Sequence, residues 1–292
     1  MRDHKASSGK LFALWEVTKP EVTFLVVLTA AAGFYLASQT GFRLWPFLHT
    51  LLGTALLGGG TSVLNQVLER EADAKMRRTC VRPLPSGRLG TAEASLWGGA
   101  LILLGALELA IFTNLLAAVL GCLTSVIYLM VYTPLKVKTP FCTTVGAVPG
   151  AMPTLIGWAA ARGELDFHAL LLFSILFAWQ FPHFLAIAWI YREDYQRGGF
   201  AMLPSVDPDG SRTSRQILAF TGLLVVLSVI PSISGLAGMF YLTGAVLLGA
   251  AQFWIGFGVS QTRSTKSARD VLRASVAYLP LLLTLMVLDK AS

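Results

Sequence analysis

Apolar stretches long enough to span or nearly span a bilayer alternate with short polar segments along the whole chain. They fall near residues 21–38, 45–67, 92–112, 115–132, 142–161, 168–191, 216–233, 236–257 and 271–288. At about 1.5 Å per residue, some 20 helical residues match a hydrocarbon core about 30 Å thick. The pattern predicts an all-α membrane bundle of about nine transmembrane helices, preceded by a polar segment, residues 1–17. The joints at 113–114 and 232–235 are so tight that their flanking spans should form antiparallel hairpins.

Composition agrees. Of 292 residues 54% are hydrophobic and only 13% charged, with a mean hydropathy of +0.64. A soluble domain would carry about 25% charge, so the chain reads as one integral membrane domain over residues 1–292. The joints sort the bases: 20 of the 23 Lys and Arg fall before the first span or after spans two, four, six and eight, leaving Arg43, Arg162 and Lys290 on the other side. By the positive-inside rule the N-terminus is cytoplasmic and the C-terminus outside. The net charge of +7 then describes cytoplasmic loops and their anionic lipid, and no nucleic-acid surface is expected. Cys80, Cys122 and Cys142 form no metal or haem-attachment motif, and the first residues show no signal-peptide core.

The cytoplasmic joints carry the candidate chemistry. In residues 65–88, Asn65, Glu69 and Asp73 lie at i, i+4 and i+8 on one helical face. Hard oxygens at a membrane edge, beside six Lys and Arg, suit a divalent cation carrying a phosphate or diphosphate, with Mg²⁺ the best match. The plainer alternative is a helix end whose acids pair with Arg70, Lys75 and Arg77. A turn rich in Pro and Gly follows and carries Arg82 and Arg88.

Where span four ends, Tyr132 and Lys136 flank Pro134, with Lys138 beyond. A phenol and an ammonium can hold a diphosphate oxygen, although an interfacial Tyr with a snorkelling Lys is common. In residues 179–204, Gln180, Pro182 and His183 interrupt an apolar span. Gln180, His183 and Tyr191 can share a face, or His183 can bond a neighbouring backbone while Pro182 kinks the helix. Asp194, with Arg192, Glu193 and Arg197, could add a second metal or phosphate contact, and Gly198–Gly199 suggests a mobile joint. The outer loop with Arg162, Glu164 and Asp166 looks ordinary, so chemistry is expected on the cytoplasmic side.

Together these segments resemble the UbiA superfamily of intramembrane prenyltransferases, and within it the protohaem IX farnesyltransferase (haem O synthase) branch. Asn65, Glu69 and Asp73 resemble its NxxxDxxxD motif, and Tyr132 and Lys136 its YxxxK motif. DAKMRRTCVRPLPSGR, WQFPHFLAIAWIYREDY and the start at Lys19-Pro20-Glu21-Val22-Thr23 resemble that branch. The similarity runs from about residue 18 to 215. Two positions depart from the pattern: Glu69 replaces Asp, and Asp194 has Ile190 four residues before it, leaving the second DxxxD motif incomplete.

The resemblance implies farnesyl transfer from farnesyl diphosphate to a vinyl group of haem b. Asn65, Glu69, Asp73 and Asp194 would serve Mg²⁺, and Arg77, Arg82, Lys136 and Lys138 the diphosphate. Tyr132 and Lys136 would be catalytic, and Gln180 and His183 would meet the haem as iron ligand or hydrogen-bond partner. It further implies a bacterial inner membrane and a haem A synthase or terminal-oxidase assembly partner. The rivals are a prenyltransferase of an aromatic quinone precursor and, from another class, a multi-span transporter.

Overall fold

The computed structural model describes residues 2–38 and 41–291, with no side-chain description for residues 2–8. The side chains of Arg2 and Lys5, two of the bases expected on the cytoplasmic side, thus lie outside the described residues. The chain opens with α1 (Arg2–Val17), α2 (Pro20–Ala37), α3 (Leu44–Leu68), the short α4 (Arg70–Lys75) and α5 (Thr91–Phe112). Next, α6 (Leu115–Val126) passes through a π-helical turn, Ile127–Tyr132, into α7 (Thr133–Leu135). Then come α8 (Cys142–Arg162), α9 (Phe167–Ile190), α10 (Arg192–Arg197), a 3-10 turn (Leu203–Ser205), α11 (Ser211–Ile233), α12 (Met239–Thr262) and α13 (Thr265–Leu288).

All nine predicted spans are therefore helical, and α5–α6 and α11–α12 pack as the two expected hairpins. Among the described residues eight of these segments are long and apolar enough to cross a membrane by themselves. The ninth, α8, is less apolar because it hardly meets lipid: 14 of its 21 residues are buried, against α2, α3, α6 and α9. Small residues permit that position. A Cβ added to Gly33 of α2 would run into the Thr154 carbonyl of α8, so the two backbones cross at close range.

The sequence pattern misplaces some ends. α11 and α13 begin five and six residues before the predicted starts at 216 and 271, and residues 2–17 are helical rather than a plain polar segment. Apolarity reports the bilayer, whereas capping decides where a helix begins. Asp207 accepts from the Thr213 amide and hydroxyl at the start of α11, and a Ser264–Ser267 capping box starts α13. At the opposite end of the bundle, Lys290 donates to the Tyr35 and Ser38 carbonyls, latching the end of α13 to that of α2.

Candidate active site

The joints after α3, α7 and α9 meet at one end of the bundle. Asn65, Glu69 and Asp73 keep one face although α3 ends at Leu68, because the Glu69 amide still bonds the Asn65 carbonyl and the Asp73 amide the Glu69 carbonyl. All three are buried. Their partners are not Arg70, Lys75 and Arg77, which are exposed. Glu69 instead receives Lys136 at 2.7 Å, Asp73 receives Arg82 at 2.8 Å, and the Asn65 amide donates to Thr133 Oγ1 at 3.0 Å, leaving its carbonyl oxygen to the site.

Pro134 lacks an amide hydrogen, and the π-turn ahead of it absorbs the defect: Thr133 Oγ1 donates to the Tyr128 carbonyl five residues back. This wide turn sets Tyr132 beside Lys136, whose Nζ lies 4.5 Å from the ring centroid. Tyr132 packs on Gly146 of α8, where a Cβ would collide with its ring. Phe200 folds back over Lys136, fixed by the Ala201 amide on the Lys136 carbonyl at 2.7 Å. The Gly198–Gly199 joint is thus followed at once by a docked strap, with Gly199 at φ 76° making the turn.

Lys19 also belongs to the site, and sequence reasoning gave it no role. It adopts a left-handed backbone conformation (φ 51°, ψ 63°) before Pro20, an uncommon state for a residue with a side chain. Burial, then the nearby Arg82 and Lys136, push its ammonium down to about 8. Lys136 and Arg82 are engaged by carboxylates, whereas Lys19 has no ion-pair partner among the described residues. Its sequence signal was a lone Lys directly before the Pro that starts the first span.

Among the described residues no cluster of three His, Cys, Asp or Glu could hold a metal. Two carboxylates and an amide carbonyl nonetheless fit Mg²⁺, which takes one or two protein carboxylates and completes its shell with phosphate and water.

The UbiA prenyltransferase family pattern matches residues 26–279. The chain belongs to the UbiA prenyltransferase family. A protein of Koribacter versatilis (strain Ellin345) named protoheme IX farnesyltransferase is 46% identical over 285 residues, covering 94% of this chain and 92% of its own. A solved structure described as digeranylgeranylglyceryl phosphate synthase superposes with a TM-score of 0.81 at 17% identity, covering 96% of this chain and 98% of its own. A UbiA homolog from Archaeoglobus fulgidus bound to DMAPP and Mg²⁺ gives 0.67 at 15%, covering 93% and 99%.

In this UbiA-family chain the remaining predicted residues separate. Asp194 accepts from the Arg77 and Arg78 amides at 3.1 and 3.3 Å and from the Arg197 guanidinium, so it ties the loop after α4 to α10. Burial would raise its carboxyl, but Arg197 and those amides hold it below the usual range. The Arg77 side chain joins Arg192 and Arg197 around a small surface pocket, and Lys138 is exposed. Gln180 turns to α8, donating to the Ala147 and Leu176 carbonyls, with its carbonyl end in the space left by Gly150. His183 turns to α13, where Nδ1 meets Ser275 Oγ at 2.9 Å. Tyr191 lies apart from both, under Arg78, so the three do not form one polar face.

Proposed function

We propose that this UbiA-family prenyltransferase moves a farnesyl group from farnesyl diphosphate to a vinyl group of haem b, giving haem O. One observation carries the chemistry: two buried carboxylates on one face, each countered by a base that a diphosphate can take over, lie beside a third base, Lys19, without a partner. The acceptor is carried over from relatives such as the K. versatilis protein, whose name states it.

Asn65, Glu69 and Asp73 are the residues that would hold Mg²⁺, whose chemistry would be to neutralise charge on the leaving diphosphate. Lys136 and Arg82 turn from their carboxylates to the diphosphate oxygens, Lys19 adds its charge, and the Tyr132 hydroxyl donates to a further oxygen. Arg77 and Lys138 meet the diphosphate from the cytoplasmic rim, and Asp194 serves by holding the Arg77–Arg78 segment in place. The allylic C–O bond breaks with its electron pair going to diphosphate. The vinyl π-pair then forms the C–C bond, and water adds to the cation beside the porphyrin and loses a proton, leaving a hydroxyethylfarnesyl group. His183 meets the haem, while Gln180, turned to the α8 backbone, serves by holding α8 against α9 beside it. The domain spans residues 1–292, and the site opens to the cytoplasm from the bacterial inner membrane.

The deciding assay offers haem b and 4-hydroxybenzoate in parallel with farnesyl diphosphate to the purified protein. Farnesylated, hydrated haem in the extracted pigment is the expected product. A prenylated benzoate with untouched haem would replace this reading with a quinone-precursor enzyme.

A further inference from the structure

His183 is held on two sides. Its Nδ1 lies 2.9 Å from Ser275 Oγ on α13, and its ring stacks on Trp179 with centroids 4.7 Å apart and planes 21° apart. Trp179 in turn donates from Nε1 to the Ser275 carbonyl at 2.8 Å, so the stacking partner is fixed to the same residue that grips the imidazole.

The proton count around Ser275 sets the tautomer. A serine hydroxyl has one proton to give, and Ser275 Oγ lies 2.8 Å from the Leu272 carbonyl, which can only accept. Both contacts are satisfied together only when the hydroxyl donates to Leu272 and His183 donates from Nδ1 to the hydroxyl. A neutral imidazole carries one ring proton, so Nε2 is then a bare lone pair. Among the described residues Nε2 has no hydrogen-bond partner, yet it is not among the sealed, unpartnered polar atoms, so it keeps accessible surface.

We propose that Ser275 is a positioning residue that locks His183 as its Nδ1–H tautomer, so that Nε2 meets haem b as an iron ligand rather than as a hydrogen-bond donor. The inference rests on haem b being the acceptor. Iron takes imidazole through an unprotonated nitrogen, and the opposite nitrogen commonly donates to an oxygen that orients the ring and raises its basicity. Ser275 is that oxygen here. Neither the spacing of polar residues on α9 nor the resemblance points to it, because Ser275 lies 92 positions away on the last span.

The test titrates haem b into purified full-length protein, reduces it, and records the iron–histidine stretching band by resonance Raman, with farnesyl diphosphate binding measured alongside. Ser275→Ala is expected to shift the band to lower frequency, as the imidazole loses its acceptor. It should also weaken haem binding about tenfold or more, with farnesyl diphosphate binding unchanged. Ser275→Thr, which keeps a hydroxyl, is expected to restore both. An unshifted band in Ser275→Ala overturns the proposal, as does a Thr variant that behaves like the Ala variant, since packing alone would then explain the effect. His183→Ala separates the levels. A haem spectrum unchanged by that substitution removes His183 as ligand whatever Ser275 does, while the parallel acceptor assay tests haem b itself.

Discussion

Lys136 Nζ and Glu69 Oε1 lie 2.7 Å apart although 67 positions separate them, with side chains only 13% and 9% exposed. Deleting one partner of a buried pair leaves an uncompensated charge, at a cost of about 3–5 kcal/mol. Lys136→Met is therefore expected to lower thermal stability clearly, and adding Glu69→Gln to recover most of it. Turnover should stay lost in both, because both groups act on the metal diphosphate. Melting curves and turnover of the single and double variants check this non-additivity.

Asp73→Asn keeps the shape of the side chain and removes its charge. Its turnover should fall by at least about a hundredfold, the scale of a lost charge contact at a reacting centre, with helical content unchanged by circular dichroism. An Asp73→Asn protein with full activity would remove the metal assignment.

Lys19 sets a pH dependence. Its ammonium is lowered to about 8, so it is charged below that pH and neutral above it. Affinity for diphosphate should fall as pH rises through that value, while kcat at saturation stays flatter because a bound diphosphate favours the charged form. Lys19→Arg should abolish the fall in affinity, since a guanidinium stays protonated. KM for farnesyl diphosphate across that range, in both proteins, is the measurement.

The crossing of α2 and α8 leaves no room for a methyl group. Gly33→Ala would press on the Thr154 carbonyl, a backbone atom that cannot rotate away, and should destabilise by about 1–3 kcal/mol. Thermal unfolding in detergent reads this directly.

The nine spans were legible because hydrocarbon imposes length and apolarity on every helix that crosses it. The Asn65–Glu69–Asp73 row and the Tyr132–Lys136 spacing were legible for a similar reason: helical periodicity puts each set on one side. Partners were not. Helical spacing suggested Arg70, Lys75 and Arg77 for the acids, yet the buried face of a helix is met by other helices, here through Lys136 and the returning Arg82. Gln180 and His183 looked like one pair at i, i+3, but the 60° between them aims one at α8 and the other at α13. Lys19 was noticed only as the first residue of the Lys19–Thr23 start and given no role, and Ser275 drew no attention, because neither belongs to a periodic row of polar residues.

The central claim is that metal and diphosphate enter together, since either alone would strand one half of the Glu69–Lys136 and Asp73–Arg82 pairs. Calorimetric titration of Mg²⁺ into chelator-stripped protein, with and without a non-reacting farnesyl diphosphate analogue, tests it most directly. The account predicts Mg²⁺ binding at least about tenfold tighter with the analogue present, a coupling of about 1.4 kcal/mol. Equal affinity in both titrations, or unchanged turnover of the stripped protein, would contradict it.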